Sequence, residues 1–210
     1  MIALENLITL APTEVRETLA AALAGPGYAV FPALFRSEFA AEVRREMDRL
    51  RGAGMFTAAN VGKGRAAHQE PETRGDGTFW FDPLALSPAQ AGLAALVESI
   101  RGGLNEDLFL GLWDWEGHYA VYPPGTFYRR HLDRFANDSK RTVSMVFFFN
   151  PAWTPADGGA LRIEPPEEGA REILPELGTA VFFRSEKIPH EVMETRRDRY
   201  SFAGWLRTRE

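Results

Sequence analysis

Hydrophobic positions follow two regimes along the chain. In the first half they recur every three or four residues, the period of an amphipathic helix; beyond about Leu110 they come in short aromatic and β-branched runs, the habit of strands. Residues 12–24 read as a helix with Val15, Leu19 and Leu23 in a stripe, Thr13 as its cap, and Gly25-Pro26-Gly27 as its stop. A short strand follows at Tyr28–Phe31. Ser37 is then expected to cap a helix from Glu38 to Arg51, which places Phe39, Val43, Met47 and Leu50 on one face. Ser87-Pro88 opens a third helix that runs to about Leu104. Residues 52–78 are rich in glycine (Gly52, Gly54, Gly62, Gly64, Gly75, Gly77) and read as a loop, suited equally to substrate contacts or to a surface hairpin. Phe79-Trp80-Phe81 reads as a buried strand.

The strand-like runs of the second half are Tyr119–Tyr122, Phe127–Asp133, Thr142–Phe149, Ala160–Ile163, Thr179–Phe183 and Tyr200–Leu206, divided by Gly, Pro and Asn. Many short strands with turn signals between them predict a sandwich, barrel or jelly roll. The expectation is one α+β domain over 1–210, with 1–108 mainly helical support and loop and 109–210 the β core.

Composition narrows the chemistry. The 210 residues include no cysteine, so disulfides and thiolate metal sites are excluded and a metal would need nitrogen and oxygen ligands. A net charge of -5 argues against nucleic acid as a partner. The first residues lack the basic-then-apolar pattern of a signal peptide, and no apolar run has the length of a membrane span, so a cytoplasmic protein without membrane contact is expected.

Candidate chemistry centres on the stretch Tyr122–Asp133, YPPGTFYRRHLD. In a strand, His131 and Asp133 would share a face, and an imidazole beside a carboxylate is two thirds of the facial triad that holds non-haem Fe(II). His190 follows an apolar run at a strand end or turn and is the candidate third ligand. His118, among Trp113, Trp115 and Tyr119, reads as packing or pocket wall; His68, in the glycine-rich loop, reads as solvated. Arg199, Ser201, Ala203 and Trp205 share one face of the last strand. An arginine inside a barrel needs an anion, and Ser201 can donate to the same partner. Arg196, Arg197 and Arg207 read as solvated. Arg74-Gly75-Asp76 is not read as a cell-adhesion signal.

Taken in order, these pieces resemble the Fe(II)- and 2-oxoglutarate-dependent dioxygenases, and more narrowly their prolyl 4-hydroxylase-like branch, which includes the hypoxia-sensing prolyl hydroxylases and their bacterial relatives. The resemblance runs from about Arg74 to Trp205. It is carried by Arg74-Gly75-Asp76 with Trp80, Tyr122-Pro123, Tyr128-x-x-His131-x-Asp133, and Arg141 leading to Asn150. Gly158-Gly159-x-Leu161-Arg162-Ile163, Pro189-His190-Glu191-Val192, and Arg199 with Trp205 complete it. It implies a double-stranded β-helix with Fe(II) held by His131, Asp133 and His190, and 2-oxoglutarate anchored by Arg199 with Tyr122 and Ser201. Arg74, Asp76, Tyr128, Arg141 and Trp205 would contact substrate, with Asp76 and Arg141 forming an ion pair that fixes the loop. Molecular oxygen is the second co-substrate, and ascorbate is a candidate reductant. The implied substrate is a prolyl residue of a protein, hydroxylated at carbon four, with the translation machinery as an analogy-based target. Phe147 and Ala203 stand where the hypoxia-sensing relatives carry a tyrosine and a threonine near the co-substrate. Two other readings stay open: oxidation of a small molecule or free amino acid, and a cupin-like metal- or carboxylate-binding sensor without turnover. Arg199 and Tyr122 beside a full triad favour turnover, since a plain binding module has no need of them.

Overall fold

A computed structural model describes residues 2–59, 70, 72–134 and 140–209. His68, Gly62 and Gly64 lie outside the described residues. Three α-helices are present among the described residues: α1 Pro12–Ala24, α2 Ser37–Gly52 and α3 Pro88–Leu108. Eleven strands follow in chain order among the described residues: β1 Tyr28–Phe31, β2 Thr57–Ala58, β3 Gly77–Trp80, β4 Leu112–Tyr122, β5 Tyr128–His131, β6 Arg141–Phe148, β7 Leu161–Ile163, β8 Arg171–Ile173, β9 Ala180–Arg184, β10 His190–Val192 and β11 Arg199–Thr208.

The strands form two antiparallel sheets, one of seven in the order β1-β9-β6-β11-β4-β3-β2 and one of four in the order β5-β10-β7-β8. The expected jelly roll is therefore observed, with β1, β2 and β3 of the first half joining its larger sheet. One face of that sheet packs on the helices through Phe147, Phe182, Phe202 and Tyr119. The other faces the small sheet across Phe148, Val181, Phe183, Leu161 and Ile163. Central strands are buried on both faces, which is why their sequences read as continuous apolar runs rather than alternations. No helix among the described residues is long and apolar enough to cross a membrane.

Several local expectations are corrected. Neither Thr13 nor Ser37 caps its helix: the cap positions are Ala11 and Arg36, without side-chain bonds, because Pro12 already starts α1 and Ser37 already lies inside α2. The third helix runs on to Leu108 and stops where Phe109 turns left-handed. Phe79–Phe81 is not a buried strand, since β3 ends at Trp80 and that indole is 48% exposed. His190 is the first residue of β10, a strand end as expected.

Ser87 does cap α3, in a full capping box with Gln90. Its hydroxyl also donates to the buried Glu46 of α2 at 2.5 Å, and the Tyr119 hydroxyl of β4 donates to the other Glu46 oxygen at 3.1 Å. One carboxylate thus ties two helices to the sheet. Ser87→Ala removes the cap and one of these donors and should cost about 1–2 kcal/mol in denaturant unfolding; an unchanged midpoint would remove this tie from the account.

Candidate active site

Two adjacent strands build the wall of the main cavity. The β4–β11 register sets Tyr122 opposite Arg199, Ala120 opposite Ser201, His118 opposite Ala203 and Glu116 opposite Trp205. All eight line one cavity of about 240 Å³. The alternate residues Tyr119, Val121, Tyr200, Phe202 and Leu206 point to the helices. The face shared by Arg199, Ser201, Ala203 and Trp205 is as the period of two predicts.

His131 on β5 and His190 on β10 are direct cross-strand partners. The spacing places Asp133 on one strand with His131, but β5 ends at His131 and Asp133 follows in a bend. It still converges on both imidazoles: Asp133 Oδ1 lies 3.6 Å from His131 Nε2 and Oδ2 lies 3.5 Å from His190 Nε2. The three residues offer ligand atoms all within 4.8 Å of one another.

Backbone carbonyls set the tautomers. His131 Nδ1 lies 2.7 Å from the Arg129 carbonyl and His190 Nδ1 3.2 Å from that of Ile188. A carbonyl can only accept, so each Nδ1 carries a hydrogen and each Nε2 is the nitrogen turned to the centre for ligation. Burial pulls the His190 pKa down to about 4, against the opposing pull of Asp133, so the ring is neutral and able to ligate near pH 7. Burial alone would raise the Asp133 pKa, but His190, His131 and the Ser144 hydroxyl outweigh it and hold the carboxyl well below its usual range. Two imidazoles and one carboxylate are a donor set that fits non-haem Fe(II).

Sequence reasoning missed the support beneath Asp133. Ser144 on β6 donates to Asp133 Oδ2 at 2.7 Å, and Ser185 lies 2.8 Å from Ser144 in turn. Small hydroxyls inside an apolar run were the available signal.

Arg199 is 1% exposed. Its Nε donates to the Gly159 carbonyl at 2.7 Å and its Nη1 to Ser201 at 3.4 Å, a long contact. Among the described residues Nη2 has no partner. Burial pulls its pKa down to about 10, so it keeps its charge at neutral pH and needs an anion in the cavity. Gly158 and Gly159 let this happen: both have positive φ, and a Cβ on Gly159 would lie 3.1 Å from the Arg199 chain. The Tyr122 ring lies 5.1 Å from the guanidinium carbon; its hydroxyl pKa is raised by burial, so it stays a hydrogen-bond donor. Arg199, Ser201 and Tyr122 therefore fit the far carboxylate of a dicarboxylic acid. The second aromatic beside Arg199 is Phe148, at 4.9 Å. Phe147 points instead to the helix layer, against Phe35, Phe182 and Phe202, which removes it from the co-substrate end.

The Asp76–Arg141 ion pair is not observed. Asp76 is held by Arg74 through Nε at 2.6 Å and Nη2 at 2.8 Å, a two-pronged geometry reached two residues away. Arg141 instead pairs with Glu116 at 2.7 Å and lies 3.6 Å over the Trp205 ring. An extra residue in β6 at the Leu206/Arg207 shift brings Arg141 beside Arg207. Arg207 is likewise not merely solvated: it binds both Asp114 and Glu116. Arg74 packs over Tyr128 at 4.6 Å, and Tyr128 stacks on His131 at 3.7 Å. A bridge between Arg74 and Tyr128 fixes that stack, so the end of the loop is tied to a ligand of the metal centre. His118 is pocket wall, as expected.

Comparison with known proteins agrees with this geometry. The model of the 2OG-Fe(II) oxygenase superfamily matches residues 117–207. The chain is similar to a Pseudomonas putida prolyl-4-hydroxylase of known crystal structure, at 35% identity and a TM-score of 0.85, covering 93% of this chain and 100% of that one. Its fold is also that of a Trichoplax adhaerens prolyl hydroxylase solved with a hypoxia-inducible factor peptide, at 24% identity and a TM-score of 0.84, over 93% of this chain and 90% of that one. Among curated proteins it is 28% identical over 192 residues to a hypoxia-inducible factor prolyl hydroxylase of Caenorhabditis elegans, over 85% of this chain and 26% of that protein. The chain spans about a quarter of the length of that curated relative. The chain belongs to the 2-oxoglutarate- and Fe(II)-dependent oxygenases, in their prolyl 4-hydroxylase-like branch.

Two outcomes are expected from the centre. Asp133→Ala should abolish binding of one equivalent of Mn(II) or Fe(II), and Ser144→Ala should weaken it about ten-fold through the freed carboxylate; calorimetry under argon measures both. Acid should destabilise the metal-free protein. Burial holds His190 at about 4 and His118 well below 6.5, so in the window from about 6.5 downward the unfolded chain binds more protons than the folded one. Stability is therefore full above that window and falls with pH through it, with Asp133 adding to the loss at lower pH. Melting temperatures recorded across this range should decline, and a flat profile would contradict the assignment of neutral buried rings.

Proposed function

We propose that this chain is a prolyl 4-hydroxylase acting on a protein substrate. The observation that carries the reading is the buried guanidinium of Arg199 with Nη2 unpaired, in the same cavity as the His131, Asp133 and His190 donor atoms. A cation at one end and a metal-ligand set at the other suit a ligand that is acidic at its far end and chelating at its near end. The 35% identity to the Pseudomonas putida prolyl-4-hydroxylase supports proline as the target. The hypoxia-inducible factor peptide bound by the Trichoplax relative supports a peptide rather than a free amino acid. A cytoplasmic setting, with a protein of the translation machinery as first candidate, is part of the same proposal and rests on analogy.

In this reading His131, Asp133 and His190 hold Fe(II), and Arg199, Ser201 and Tyr122 hold 2-oxoglutarate. When bound, iron and keto acid supply the activation of molecular oxygen for hydroxyl transfer, coupled to decarboxylation of 2-oxoglutarate to succinate. The protein's part is placement. Asp133 offsets part of the metal charge, while Tyr128 stacks on His131 and fixes the ring plane. Phe148 and Tyr122 wall the deep end against water. Arg74 and Asp76 hold the loop end beside Tyr128. Arg141 and Trp205, braced by Glu116, form the rim over which substrate enters.

The test is incubation of candidate proteins with the enzyme, Fe(II), 2-oxoglutarate and oxygen, followed by mass spectrometry of tryptic peptides. One added oxygen on a prolyl residue, with an equivalent of succinate, is expected. Succinate release coupled to a product that carries no oxidised proline would replace the substrate assignment.

A further inference from the structure

The cavity face of the β4–β11 ladder carries unpaired polar groups at two places. Arg199 Nη2 is at the deep end. At the mouth, among the described residues, both ring nitrogens of His118 and the Trp205 Nε1 are buried without a hydrogen-bond partner. His118 is 1% exposed and Trp205 6%. Buried donors and acceptors are normally paired, so three such atoms on neighbouring residues call for a ligand with matching atoms.

Packing explains the ring of His118 but not its nitrogens. The imidazole lies 4.5 Å from the Trp80 ring and 5.5 Å from the Trp205 ring, a setting any flat or apolar side chain could share. The charged neighbours do not pair with it. Arg141 and Arg207 are engaged by Glu116, and Arg74 by Asp76. Ala203 stands across from His118 in the register, so no bulky side chain fills the space in front of it. Burial, with the Arg74 and Arg141 charges, keeps the imidazole neutral, so it presents one donor and one acceptor.

We propose that His118 and the Trp205 indole N–H form a second polar anchor that reads the main-chain amide next to the target prolyl, making His118 a specificity residue for peptide-bonded proline. Trp205 Nε1–H donates to the carbonyl of the residue after the proline, and His118 accepts from the N–H of that same residue, two groups that leave one edge of an extended chain. The remaining imidazole N–H serves a second carbonyl of the same chain. Trp80, half-exposed above both, covers the bound segment. Free proline has no such N–H and does not complete the anchor. This inference rests on the prolyl-peptide reading above.

The experiment uses the full chain loaded with Zn(II) and 2-oxoglutarate. The probes are a mixed library of acetyl-Xaa-Pro-Xaa amides and a matched library with an ester oxygen in place of the N–H after proline. The wild type should bind the amide library about ten-fold more tightly than the ester library. The nitrogen resonances of His118, assigned by their loss in His118→Gln, should shift with amide and not with ester. His118→Leu and Trp205→Phe should each lower amide affinity, and His118→Leu should erase the amide–ester difference, while His118→Gln retains part of it. Equal binding of amide and ester by the wild type, or full discrimination by His118→Leu, overturns the anchor while leaving prolyl binding intact. A wild type that binds neither library overturns the prolyl-peptide reading and the anchor together. If His118→Leu does not fold, the wild-type comparison and the imidazole shifts still decide.

Discussion

A guanidinium closed inside a β-sandwich sets the terms for the rest of this molecule. Arg199 is removed from water, still charged, and matched by one carbonyl and one distant hydroxyl among the described residues. Burying a cation is tolerable only with an anion beside it, so the fold is arranged to admit one. Gly158 and Gly159 give the chain its close approach, and Phe148 and Tyr122 give it apolar walls. The opposite end of the cavity is where His131, Asp133 and His190 meet. The larger sheet carries the Arg199 end, where β4 and β11 pair without interruption from Arg199 to Arg207, and the small sheet carries the other, where β5 and β10 pair His131 with His190.

The metal centre depends on a different kind of support. Each imidazole is turned by the backbone carbonyl two residues before it, which makes ring orientation a property of the backbone and not of the ligand alone. Asp133 has no strand to hold it and relies on the Ser144–Ser185 pair. The loop end reaches the same centre through Arg74, Tyr128 and His131, stacked in turn. Such a chain of contacts is a physical route by which occupancy of the loop could alter ligand geometry.

Much of this was legible in the sequence. The period of two on the last strand placed Arg199, Ser201, Ala203 and Trp205 together, because alternation in a strand is geometrically rigid. His131, Asp133 and His190 were legible as residue types, but the bend that carries Asp133 inward was not. Phe147 was mistaken for the co-substrate neighbour because Met145 to Phe149 is apolar on both faces. In such a run, parity cannot be read without a polar marker, and Ser144 was that marker: Ser144, Val146 and Phe148 share its side of the strand. Asp76 was given the wrong arginine because sequence shows which charges exist and not which reach two-pronged geometry. The caps at Thr13 and Ser37 failed because residue type does not reveal which position leaves the helical backbone first.

The central claim is that Arg199 lies buried to receive a carboxylate from a metal-bound keto acid. It is tested most directly by anaerobic calorimetry of the Fe(II)-loaded protein with 2-oxoglutarate and with 2-oxopentanoate, which carries a methyl group in place of the distal carboxylate. The account predicts that the wild type binds 2-oxoglutarate more tightly by about a hundred-fold, and that this preference collapses in Arg199→Leu. Equal affinity for the two acids in the wild type, or a preference that survives in Arg199→Leu, would contradict it.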